Sequence, residues 1–162
     1  MRGRTSKILM AVMLCATLAF ASAQTAEAAQ VDIELQLLVD VSGSISTTEF
    51  NLQREGYALA FEQASVQNAI AASTHGVAVS LAYWSGYNQQ SAAVGWTKLT
   101  TVAEVQAFAD AIRAAGRPYG GQTAAQSAMH WGATDATFGI ANNGYEGDKV
   151  IVDVSGDGVD ND

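Results

Sequence analysis

Ile33-Glu-Leu-Gln-Leu-Leu-Val39 runs directly into Asp40-Val41-Ser42-Gly43-Ser44, and Val150-Ile-Val152 runs into Asp153-Val-Ser155-Gly-Asp157-Gly158. The tetrapeptide Asp-Val-Ser-Gly therefore occurs twice, each time after a short apolar run, and both copies read as strand ends. If the two strands are neighbours in one parallel sheet, their polar tips meet at its carboxyl edge, where open α/β sheets bind ligands. What gathers there is carboxylate and hydroxyl oxygen, without thiol or imidazole. That donor set suits a hard divalent cation such as Mg²⁺, with Mn²⁺ or Ca²⁺ as further candidates.

Outward from the first strand, Ser46-Thr-Thr-Glu49 is a capping box, and Phe50, Tyr57, Ala60 and Phe61 follow on one helical face. The spacing predicts a helix from there to about Ala64, with Arg54 and Glu55 toward water. Val77 to Trp84 alternates as a strand does, and a weaker strand is expected from Ser91 to Thr97. Thr101-Val-Ala-Glu104 is a second capping box; Val102, Val105, Phe108 and Ile112 continue it until Gly116 stops the run. Arg117-Pro-Tyr-Gly-Gly-Gln122 is a loop by composition, a helix is expected from Thr123 to about Trp131, and Asn142-Asn-Gly144 marks a turn. Helices alternating with strands predict an α/β fold, doubly wound around a mostly parallel sheet with helices on both faces. The chain stops at Asp162, in a polar loop a few residues past the last strand, so a C-terminally truncated domain lacking later βα units is expected.

The N-terminus reads as a targeting segment and not as part of this fold. Arg2, Arg4 and Lys7 precede an apolar run from Ile8 to Phe20, and Ala21-Ser-Ala23 or Ala26-Glu-Ala28 offers a small-residue cleavage site. A signal peptide over 1–23, cleaved after Ala23 or Ala28, predicts an exported protein, periplasmic or extracellular, with no membrane span in the mature chain. Cys15 lies in the removed segment behind Leu14, so the mature chain has no thiol for disulfides, metal or nucleophilic chemistry. Cleavage after Ala23 takes the net charge from −8 to −11. Nucleic acid is excluded as a natural partner, because five scattered basic residues cannot track a phosphate backbone.

Three pieces of the chain resemble the metal-ion-dependent adhesion site (MIDAS) of the von Willebrand factor type A domain. They are Asp40-Val-Ser42-Gly-Ser44 for Asp-x-Ser-x-Ser, Gly120-Gly121-Gln122-Thr123 for the later Gly-Gly-x-Thr loop, and Ser155-Gly-Asp157-Gly158 for the Asp after the fourth strand. Phe50-Asn-Leu-Gln-Arg-Glu-Gly-Tyr57, Tyr83-Trp-Ser-Gly86 and Val152-Asp-Val-Ser-Gly-Asp-Gly158 resemble more narrowly the exported bacterial DUF1194 proteins. The resemblance runs from about Val31 to Asp162, with one departure at Gln126, where many members carry Gly. It implies a Rossmann-like fold, a Mg²⁺ site at Asp40, Ser42, Ser44, Thr123 and Asp157, and a protein partner presenting an Asp or Glu carboxylate to the metal. Ser42 and Ser44 would bind directly, Thr123 directly or through water, Asp40 and Asp157 often through water. No catalytic chemistry is implied.

Several other readings compete. Asp153-Val-Ser155-Gly-Asp157-Gly158 has the oxygen spacing of an EF-hand opening, but an apolar β-branched run precedes it where a helix is required. A hydrolase would need a nucleophile and base; the histidines are His75 and His130 alone, and no Gly-x-Ser-x-Gly elbow occurs. A metal-dependent hydrolase using Asp40 and Asp157 as a carboxylate pair is the minority alternative, because the intervening hydroxyls favour ligation. A metal that stabilises the fold alone is the main alternative to partner binding. Trp84, Trp96 and Trp131 read as core more readily than as a sugar platform, while Tyr87, Asn88 and Gln89 are candidates for a partner-facing loop.

Overall fold

A computed structural model describes residues 27–158. The predicted signal peptide over 1–23 lies outside these residues. Strand β1 spans Ala29–Asp40 and is central, pairing in parallel with β2 (Val77–Trp84) on one side and with β4 (Tyr145–Ser155) on the other. Strand β3 (Gln90–Leu99) returns antiparallel to β2, giving the order β3-β2-β1-β4 among the described residues. The expected mostly parallel sheet is therefore present, and the one antiparallel edge follows from the short Ser85–Gln89 connection, which is long enough for a hairpin and too short for a crossover.

Helices α1 (Thr47–Glu62), α2 (Ala64–Ala71) and α3 (Val102–Ala114) cover one face, and α4 (Ala125–Thr134) covers the other. Alternation within the strands supplies both cores. Leu37, Val39, Val79, Leu81 and Tyr83 point to Phe50, Phe61, Val105, Phe108 and Ile112 on the first face, whereas Leu38, Ala82 and Trp84 meet Ala128 and Phe138 on the second. Both predicted capping boxes form: Ser46 Oγ accepts from Glu49 N–H and Thr101 Oγ1 from Glu104 N–H, each at 3.2 Å.

Sequence and structure differ in four places. The first helix ends at Glu62, because Gln63 takes an extended conformation (φ −60°, ψ 128°), and α2, absent from the sequence reading, starts on the next residue. Arg54 and Glu55 do not simply face water: Arg54 donates to Ala115 O at 3.1 Å, and Glu55 pairs with Arg113 of α3 at 3.0 Å. Helix α4 begins at Ala125, two residues later than expected, so Thr123 remains in the loop. Strand β4 starts at Tyr145, earlier than its apolar run, because Glu34 reaches across from β1. Its carboxylate accepts from Gly147 N–H at 2.7 Å and from Asn143 Nδ2 at 2.5 Å, which satisfies a buried charge and anchors the polar half of β4.

Candidate metal centre

Strands β1 and β4 are adjacent and parallel, so the two copies of Asp-Val-Ser-Gly end at the same edge of the sheet. Val41 N–H donates to Trp84 O at 2.8 Å, the last sheet-like bond before the chain turns. Asp40 is fully buried, and its Oδ1 accepts from Ser42 N–H at 2.7 Å, closing an Asx turn. The turn brings Ser42 Oγ and Ser44 Oγ within 3.1 Å of one another, and Ser44 Oγ donates to Asp157 Oδ1 at 2.8 Å. Hydroxyls of the β1 loop thus meet the carboxylate of the β4 loop across the sheet edge.

The Gly-Gly-x-Thr loop closes the third side. Gly43 N–H donates to Gly121 O at 2.7 Å, and a Cβ on Gly43 would stand 3.1 Å from Gly120 O, so a side chain there would push the two loops apart by a few tenths of an ångström. Thr123 is buried, and a Cβ at Gly158 would stand 3.8 Å from its Oγ1, which puts the Thr hydroxyl beside the β4 loop. Asp40, Ser42, Ser44, Thr123 and Asp157 therefore come from three loops onto one sheet edge. Among the described residues no group of three or more His, Cys, Asp or Glu side chains is arranged for a metal, and the set gathered here joins three hydroxyls to two carboxylates.

Asp40 Oδ2 is buried without a hydrogen-bond partner. A buried carboxylate oxygen in that condition costs about 1–3 kcal/mol or more unless a cation or water meets it. The same oxygen lies 3.2 Å from where a Cβ on Gly156 would sit, a space a side chain would fill. An orphaned buried oxygen, two adjacent hydroxyls and a second carboxylate fit the chemistry of a hard, oxygen-ligated cation.

Two residues outside the sequence reading hold these loops. Ser85, buried at the end of β2, accepts from Gly121 N–H at 2.8 Å and donates to Gln122 O at 2.9 Å. Arg117 donates to Val41 O, Ser42 O and Tyr119 O. Their signals in the sequence give no role: Ser85 falls in the Tyr83-Trp-Ser-Gly86 stretch after an apolar strand, and Arg117 stands three residues before the Gly pair. On the far side, Tyr57 Oη donates to Asp153 Oδ2 at 3.4 Å. Burial pushes the Tyr57 phenol above its ordinary range; the Asp153 carboxylate adds to that push and a bond to Ser155 opposes it.

The other candidates fall elsewhere. His75 Nδ1 lies 3.0 Å from Asp32 at the opposite end of the sheet, and His130 is exposed on α4. Trp84 is buried, while Trp96 and Trp131 pack around Phe138, so the tryptophans form no platform. Tyr87 is 70% exposed and Asn88 is also exposed, but the Gln89 side chain turns inward and accepts from Gly86 N–H at 3.1 Å. The EF-hand reading does not survive β4, a strand where that motif needs a helix.

Comparison with known proteins agrees with this architecture. Proximal thread matrix protein 1 from the mussel byssus superimposes with a TM-score of 0.60 at 22% identity, over 85% of this chain and 34% of that one. A second structure of that protein, described as having a zinc-occupied MIDAS motif, gives 0.58 at 22% identity with the same coverage. The vWF domain of the pilus tip protein Mfa5 from Porphyromonas gingivalis matches more weakly, with a TM-score of 0.40 at 15% identity over 64% of this chain and 32% of that one. The chain thus spans about a third of the length of the mussel protein. No curated protein matches it. Residues 30–162 match the family described as "Protein of unknown function (DUF1194)", so the chain belongs to that family, on a fold of the von Willebrand factor type A kind.

Proposed function

We infer that this domain is an exported protein-interaction module that holds Mg²⁺ at Asp40, Ser42, Ser44, Thr123 and Asp157 and engages an Asp or Glu carboxylate of a partner protein. The observation that carries the reading is the partnerless, fully buried Asp40 Oδ2 beside paired Ser hydroxyls. Ser42 and Ser44 offer neutral oxygen, and Asp40 and Asp157 supply negative charge from two different strands. Neutral donors leave a bound Mg²⁺ electrophilic, which is what an incoming carboxylate requires. The zinc-occupied motif of the mussel protein supports divalent metal on this fold, and Mn²⁺ or Ca²⁺ would meet the same oxygens. Among the described residues no helix is long and apolar enough to cross a membrane.

Calorimetric titration of the wild type and Asp40→Ala with Mg²⁺ and Mn²⁺ tests the metal site. Saturable binding by the wild type, lost in the variant, is expected; a folded wild type that takes up no metal overturns the reading. Partner engagement is tested by capture on immobilised protein with Mg²⁺ and with chelator, where captured protein should be released by chelator and by free glutamate. The Ser44–Asp157 bond between the β1 and β4 loops favours one second reading, a metal that only joins the two strands. Mg²⁺ would then raise the unfolding temperature while no chelator-sensitive partner is found.

A further inference from the structure

Ser42 sits between two peptide units, and each is held at both of its ends. The unit before it has its oxygen, Val41 O, bonded by Arg117 Nε at 3.2 Å and Nη2 at 2.9 Å, while its Ser42 N–H donates to Asp40 Oδ1 at 2.7 Å. The unit after it has its oxygen, Ser42 O, bonded by Arg117 Nη2 at 2.6 Å and Ile45 N–H at 3.1 Å, while its Gly43 N–H donates to Gly121 O at 2.7 Å. Val41 and Ser42 lie beyond the last paired residue of β1, and the one sheet-like bond that reaches them is Val41 N–H to Trp84 O at 2.8 Å. The same guanidinium also takes Tyr119 O at 3.0 Å, tying the turn that leads to Gly120 and Thr123 to the β1 loop.

We propose that Arg117 is a positioning residue for the metal loop, fixing the backbone on both sides of Ser42 and hence the directions of the Ser42 and Ser44 hydroxyls. The role rests on the metal-binding reading above. A guanidinium is suited to it because its planar fork reaches three carbonyls at once and cannot lose its proton, whereas a lysine offers one compact centre. Charge and geometry act here with opposite signs. Removing a positive charge near a cation site would by itself tighten cation binding. Weaker binding in an Arg117 variant therefore reports lost geometry.

The test is Mg²⁺ calorimetry on the wild type, Arg117→Ala, Arg117→Lys and Arg113→Ala, each also followed by thermal unfolding without metal. Arg113 bridges Glu55 and Glu62 between α1 and α3 and touches none of the loop, so its variant controls for general loosening. Arg117→Ala should bind Mg²⁺ roughly 10–100-fold more weakly, the usual cost of losing a residue that orients metal ligands. Arg117→Lys should recover only part of that loss, and Arg113→Ala should bind as the wild type does even where its unfolding temperature falls. Wild-type or tighter affinity in Arg117→Ala, or an equal loss in Arg113→Ala, overturns the role. If Arg117→Ala does not fold, Arg117→Lys carries the same comparison. A silent wild type shows instead that the metal site itself fails, and the role falls with it.

Discussion

Glu34, Asp40 and Glu62 are three carboxylates held in three different ways. Glu34 is buried and satisfied by Gly147 N–H and Asn143, and it serves the register of β4. Asp40 is buried with one oxygen satisfied and one not, the arrangement expected of a side chain kept for a ligand. Glu62 lies at the α1–α3 contact, where Arg113 Nη1 and Nη2 each donate to it at 2.7 Å and Gln106 Nε2 at 2.6 Å. The bonds from Arg113, then that from Gln106, hold the Glu62 carboxyl down at about 2, against an ordinary 4.5. Because the folded value lies below the unfolded one, its stabilising contribution is complete above about pH 4.5 and disappears as pH falls toward 2. The difference in unfolding temperature between the wild type and Glu62→Gln should therefore be full at neutral pH and close across that window. A gap that persists unchanged at pH 2 would show that the charge is not its source.

Among the elements, α1 and α3 each begin with a closed capping box and carry the residues that pack against the parallel strands. Ser46→Ala and Thr101→Ala should each lower stability by about 1 kcal/mol in a denaturant titration, additively because the two caps share no partner. These helices were legible because a cap is a local matter: a hydroxyl and a carboxylate three residues apart suffice. The strands were legible from β-branched and alternating runs, and the meeting of the β1 and β4 loops at one sheet edge from the tetrapeptide repeated at their ends. Helix α2 was not, because the break at Gln63 involves neither Gly nor Pro and the backbone simply turns extended for one residue. Arg117 and Ser85 were not, because their partners are carbonyls and amides of other loops, set by how the loops approach and invisible to spacing. Gln89 was misplaced for a related reason: its side chain lies against Gly121, where no Cβ stands in the way.

At the scale of the molecule, the two borders that the sheet has among the described residues differ. Strand β3 closes one border with its antiparallel turn, whereas β4 forms the other with Val150, Ile151 and Val152 between 43% and 53% exposed. On the α1 face an apolar groove of about 340 Å³, lined by Ile33, Leu35, Tyr57, Phe61, Val66 and Ile151, runs beside it. An apolar edge strand is a template for pairing with another chain. Light scattering against concentration should show this chain associating, and Val152→Lys should raise the onset several-fold without changing the circular dichroism; an unchanged onset would place the sticky surface elsewhere. The central position of β1 has one more consequence, which concerns time. Its contacts with β2 need only the first half of the chain, but Ser44 and Asp157, which meet at the sheet edge, are 113 positions apart. Closing so long a loop comes late, after nearer pairings have formed. Until β4 docks, the Asp40 loop has only part of its cage. On the metal-binding reading, uptake would thus wait for β4, and a chain in which that strand had not yet docked could not capture the ion, or a partner, at this edge.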